Sequence, residues 1–146
     1  MVLFVSKTGR HKLADLSVRV RNGMLDSIET TMGTSPTLRI RSGAKPANAA
    51  SASTGTVLAT ITLPSDWASA ASAGVKQLLG TWADGDGADA DGTAGHFEIE
   101  GTGAVIDMRG TVTATGNGGE MQVNNTSFAT GQPFSVTVFD ITDGNP

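Results

Sequence analysis

The chain has no cysteine and no tyrosine, only two histidines, and few charges for its 146 residues. Without cysteine there is no disulfide framework and no thiolate metal site, and the redox compartment stays open. With two histidines, His11 and His96, the raw material for metal centres and general-base catalysis is thin. No apolar run approaches the roughly 20 residues needed to span a bilayer as a helix. The opening Met1-Val2-Leu3-Phe4-Val5-Ser6-Lys7 carries its charge after a short apolar run, the reverse of a secretory signal. Charged residues make up 16% and the net charge is only -4, which argues against generic disorder. No nucleophile elbow, phosphate loop or histidine metal spacing is present.

What is abundant is glycine, 19 residues, scattered among short alternating runs. Leu38 and Ile40 alternate with Arg39 and Arg41, which is strand spacing with one face buried. Val57, Ala59, Ile61 and Leu63 repeat the pattern after a loop of small residues over 47–55. Residues 75–82 are expected to form a further strand. Phe97 and Ile99 alternate with His96, Glu98 and Glu100, placing His96 on the surface side. Ala104, Ile106, Met108, Gly110 and Val112 share a face, Met121 and Val123 form a short strand, and Phe134, Val136 and Val138 alternate with Ser135, Thr137 and Phe139. The expected core is Leu38, Ile40, Val57, Ile61, Leu63, Trp82, Phe97, Ile99, Ile106, Met108, Met121, Val123, Phe134, Val136 and Val138, with Trp67 buried as well. Closely spaced strands without intervening helices predict a mainly β, jelly-roll-like antiparallel β-sandwich.

The N-terminal quarter differs. Residues 1–12 read as an arm with Phe4 as its one large anchor. Leu13, Leu16, Val20, Met24 and Ile28 then recur at helical spacing. Asp15 is placed to cap that helix or to sit in its first turn. Gly33 and Pro36 end it, and Gly23 weakens its middle by about 1 kcal/mol relative to alanine. The expected division is 1–36, arm and helix, and 37–146, β-sandwich. Charge divides similarly: residues 1–46 hold eight Lys/Arg against three acids, and residues 47–146 hold two against eleven. A basic end on an acidic body suits an acidic protein surface as partner. Nucleic acid is disfavoured, because aromatic platforms are lacking near the basic residues and the acidic body repels phosphate. Phe4, Lys7, Arg10, Lys12, Arg19 and Arg21 are the candidate partner-binding residues.

Two further constellations were weighed. Asp84, Asp86, Asp89 and Asp91 lie on a glycine-rich stretch and are the weak calcium candidates. Their spacing lacks the twelfth-position glutamate and the following helix of a calcium-binding loop, so a solvated surface loop is the expectation. A Ser-His-Asp set assembled from His96, Asp107 and any of many serines has no specificity. No catalytic residue, cofactor or metal is expected, and the chain is read as a non-enzyme.

Several segments together carry a resemblance. They are Thr37-Leu38-Arg39-Ile40-Arg41-Ser42-Gly43-Ala44-Lys45-Pro46-Ala47, Gly55-Thr56-Val57-Leu58-Ala59, Gly80-Thr81-Trp82, Thr93-Ala94-Gly95-His96-Phe97, Met121-Gln122-Val123-Asn124-Asn125-Thr126 and Gly131-Gln132-Pro133-Phe134-Ser135-Val136. With the helix ending at Ile28-Glu29-Thr30-Thr31-Met32-Gly33, the chain from about residue 16 to 144 resembles small proteins encoded in tailed-bacteriophage structural-gene clusters. The arm and the aspartate loop depart from that pattern. The resemblance implies a virion structural protein, foremost a head decoration (cement) protein on the major capsid protein lattice, homo-oligomeric and assembled in the host cytoplasm. The alternatives are a tail-, collar- or fibre-associated protein, or a carbohydrate- or calcium-binding adhesion module.

Overall fold

The structure, a computed structural model, describes residues 15–143. The expected arm, with Phe4, Lys7, Arg10, Lys12 and the helix residue Leu13, lies outside the described residues. The chain is mainly β, with one helix and nine strands among the described residues in a mixed, sandwich-like arrangement.

Helix α1 spans Val18–Met32. Ser17, not Asp15, is its N-cap: its extended backbone and its hydroxyl oxygen, accepting from the Val20 amide, satisfy a donor that the first turn leaves open. Gly33, at φ 84°, ends the helix and returns its own amide to the Glu29 carbonyl. The buried face is Leu25 and Met32 with Ile28 half-buried, while Val20 and Met24 stay exposed. The expected stripe was therefore rotated. Helical spacing admits either set, and tertiary ties decide between them. Arg21 Nη1 donates to the Asp143 carbonyl at 3.0 Å, and Asn22 and Asp26 accept from the Gly74 and Ala71 amides. These turn Val20 and Met24 outward.

Strands β1 (Thr37–Ser42) and β2 (Val57–Thr62) pair antiparallel, and β1 also pairs with β5 (Gly92–Glu100). β5 pairs with β6 (Ile106–Ala114). Adding β3 (Val75–Gln77), β7 (Met121–Val123) and β9 (Phe134–Thr142), the order is β2-β1-β5-β6-β7-β9-β3. The short β4 (Ala83–Asp84) pairs with β9, and β8 (Ser127–Phe128) with β5. The pairing is not wholly antiparallel as expected, because β6 and β7 run parallel. Parallel neighbours usually need a long crossover. Here residues 115–120 suffice, because Gly116 and Gly118 take φ of 90° and 75°, a conformation open to glycine without a Cβ penalty.

The two halves of the sheet meet over an aromatic core. Phe97 on β5 meets Phe139 on β9 edge-on, with centroids 5.7 Å apart, and Trp82 lies 4.9 Å from Phe139 and 6.1 Å from Trp67. Most expected core residues are buried, while Val57, Ile106, Met108 and Val138 are only half-buried. Phe139, expected to face away from Phe134 and Val136, is buried with them. The ladder pairs Gln122 with Val138 but Val123 with Val136. That bulge inserts one residue into β9 and exchanges the faces beyond it. The expected strand over 75–82 stops at Gln77. Gly80, at φ 75°, turns the chain, and Trp82 enters the core with Nε1 donating to the Leu79 carbonyl.

Candidate interaction surface

One face of β1, β5 and β6 is a charge ladder. Arg39 pairs with Glu100 at 2.8 Å, and Glu98 receives Arg41 and Arg109 on its two oxygens, each at 2.8 Å. Alternation dictates this, because the residues between the charges, Leu38, Ile40, Phe97 and Ile99, point into the core. The loop over 43–55 folds across the ladder. Arg109 Nη1 donates to the Asn48 and Ser51 carbonyls at 2.8 and 2.7 Å, and Ser53 Oγ donates to Glu98 at 3.0 Å. Burial pushes the Glu98 carboxyl up, but the Ser53 hydrogen bond and the charges of Arg41 and Arg109 outweigh it, and the net displacement is downward.

His96 lies under the same loop. It is fully buried, not on the surface as expected, with Nδ1 3.0 Å from the Gly43 carbonyl oxygen. The alternation of β5 holds, but the covering loop has no large apolar side chain to announce it. Nε2 of His96 is buried without a protein partner. No serine or aspartate side chain is recorded in a hydrogen bond with either ring nitrogen. Asp107 is exposed beside α1.

The aspartate stretch is built into the fold. Ala88 is buried, its amide donating to the Gln132 carbonyl and its carbonyl accepting from Gly131, while the Asp89 amide donates to the Leu58 carbonyl. The expectation is a solvated surface loop over 83–95; the carboxylates of Asp86, Asp89 and Asp91 are exposed, but the backbone beneath them is paired and residues 92–95 belong to β5. The correction follows from backbone pairing, which Gly and Asp composition does not reveal. Asp84 accepts from the amides of Asp86 and Gly87, and Asp91 accepts from the amide and hydroxyl of Thr130. The Thr130 amide and then its hydroxyl hold the Asp91 carboxyl below its ordinary range. Asp86 and Asp89 are exposed. One of the four carboxylates thus serves as a turn acceptor and another ties the stretch to the distant Thr130, and no group of three or more metal-ligating side chains gathers among the described residues. Millimolar calcium is expected to leave the melting temperature unchanged, whereas a ligand bound only by the folded state raises it. A calorimetric scan with and without the ion checks this.

The surface around α1 is of another kind. Among the described residues, three of the five exposed large hydrophobic residues, Val18, Val20 and Met24, are on this one helix, and Val20 and Met24 share one side of it. The helix is held rigidly from beneath. Lys76 on β3 is buried, and its Nζ reaches Asp26 Oδ1 and Glu29 Oε2 at 3.1 Å each and the Ser69 carbonyl at 2.8 Å. The Ala71 amide, then Lys76, hold the Asp26 carboxyl below its usual value. On one flank lies an open polar cleft of about 630 Å³ containing Asp26, Glu29, Asp66 and Lys76. On the other is a groove of about 300 Å³ lined by Ile28, Thr31, Met32 and Met108.

Of the described candidates for partner binding, Arg19 is exposed, but Arg21 is turned inward onto Asp143. The expectation that Arg21 faces a partner gives way to a role in fastening the helix. The sequence points to the basic residues of α1 but not to its apolar outer face, because Val20 and Met24 belong to the stripe that helical spacing assigns to the helix's packing side. Among the described residues, no helix is long and apolar enough to cross a membrane. No family model, no curated protein and no solved structure matches this chain.

Proposed function

We propose that this chain is a structural protein of a tailed-bacteriophage virion, a head decoration protein attached to the major capsid protein lattice. The observation that carries the proposal is the outer face of α1: Val20 and Met24 exposed on a helix locked to the body by Arg21, Asn22, Asp26 and Lys76. A rigid helix with an uncovered apolar face is a contact surface. It follows directly on the basic N-terminal residues Lys7, Arg10 and Lys12. The resemblance to phage structural-gene products supplies the setting. In this reading, Phe4 and the basic residues of the arm lie on acidic capsid surface, Arg19 faces a neighbouring virion protein, and the β body stands outward. No catalytic chemistry is assigned.

The test is attachment to particles stripped of this protein. A chain lacking residues 1–12 is expected to stay folded, because it keeps the core built around Leu38, Ile40, Trp67, Trp82, Phe97 and Phe139, but to co-sediment poorly with particles. Attachment of the full chain is expected to weaken with salt, since exposed charge is screened. Binding of the shortened chain equal to that of the full one would remove the arm from the account.

A further inference from the structure

We infer that the outer face of α1 is an interface between two copies of this chain, packed antiparallel about a two-fold axis passing near Gly23 and Met24. This deepens the proposed reading of α1 as a contact surface by naming its occupant, and it does not depend on the virion setting.

A two-fold interface requires one surface to carry both a projection and the matching recess. Val20 and Met24, exposed at 40% and 48%, form a ridge on the N-terminal half of the helix. Helical spacing places Ser27 and Thr31 on the same side, and there the surface drops into a groove whose apolar lining is Ile28, Met32 and Met108, beside Ser27, Thr31 and Asp107. Val20 and Ser27 are about 10 Å apart along the axis at 1.5 Å per residue. An antiparallel copy centred between them therefore sets each Val20 over the partner's groove and brings the two Met24 side chains together.

Charge follows the same symmetry. Arg19, Gly23, Asp26 and Thr30 form one flank of the helix by spacing. Arg19 is exposed, while Asp26 and Glu29 border the polar cleft, where Asp66 joins them and Lys76 is the one cation. Antiparallel pairing lays the Arg19 of each copy on the side of the partner's Asp26, whereas a parallel pairing sets like charges together. Gly23 fits the crossing point. A Cβ there would meet nothing within 4 Å, so no packing within the chain calls for glycine, and its small size lets two helix backbones approach closely.

Sedimentation equilibrium on the purified full chain tests this. Wild type is expected at twice the chain mass of 14.8 kDa at tens of micromolar. Met24→Glu is expected at the single-chain mass, with unchanged circular dichroism because the site is exposed. Arg19→Glu is expected to raise the dissociation constant on the order of tenfold at low salt, an effect that shrinks as salt screens the charge. Since the chain has no cysteine, a single Met24→Cys is expected to form a disulfide dimer under mild oxidation, and Thr60→Cys, exposed on β2, is not. Wild type remaining at single-chain mass at 200 micromolar overturns the inference. So does a dimer that survives Met24→Glu, or Met24→Cys cross-linking no faster than Thr60→Cys. A dimer that forms as expected while the chain fails to attach to particles would sink the virion reading alone.

Discussion

Replacing Glu98 with alanine is expected to lower the unfolding free energy by about 3–5 kcal/mol, the range for removing one partner of a buried ion pair. Glu98 is fully buried, and the Arg109 side chain opposite it is 2% exposed. Without the carboxylate, Arg109 keeps the Asn48 and Ser51 carbonyls but has no counter-charge, and the loop over 43–55 loses the Ser53 anchor. The Glu98 carboxyl titrates lower in the folded chain than in the unfolded one. Its stabilisation is therefore fully present above the unfolded glutamate value of about 4.3 and is lost as pH falls through the lower folded value. Denaturant melts of wild type and Glu98→Gln between pH 7 and pH 3 check this. The wild type is expected to lose more stability across the acid limb, and parallel curves would show that the pair contributes nothing.

Truncating Phe97 to alanine is expected to cost about 3–5 kcal/mol as well, by a different route: lost transfer energy plus the cavity left behind. Phe97 is 1% exposed and meets Phe139 edge-on. Its ring fills the space over Gly110, where a Cβ would come within 2.5 Å of it. Thermal and denaturant unfolding measure the loss. A change below about 1 kcal/mol would mean that the core collapses around the gap or that the ring is not packed as described.

These two residues also show how far the sequence could be read. Both lie on β5, where apolar and charged residues alternate. Phe97 was placed in the core by that alternation alone, and the structure agrees. Arg39 and Arg41 on one strand, and Glu98 and Glu100 on another, carry opposite charges at the same spacing, so their cross-strand pairing was available to pattern reasoning. The depth of Glu98 and His96 was not, because it depends on the loop over 43–55. That loop has no large apolar side chain, and it is held by backbone carbonyls accepting from Arg109 and by the Gly43 carbonyl against His96. Phe139 was misplaced because a bulge in β9 leaves no mark in composition. On α1 the helix itself was legible, but its orientation was not. Val20-Met24-Ile28 and Leu25-Ile28-Met32 are both acceptable stripes, and what selects the second is a set of distant polar ties, from Arg21 to Asp143 and from Asn22 to Gly74. The apolar outer face that carries the functional proposal is thus a product of tertiary structure.

If the chain decorates a phage head as proposed, its copy number in purified particles follows the capsid lattice. Quantitative mass spectrometry or gel densitometry against the major capsid protein gives the ratio. A decoration protein is expected at a fixed ratio comparable to the capsid subunits, falling when particles are washed in high salt. Absence from purified particles contradicts the claim outright, and a handful of copies per particle would move the protein from the head lattice to the tail or collar.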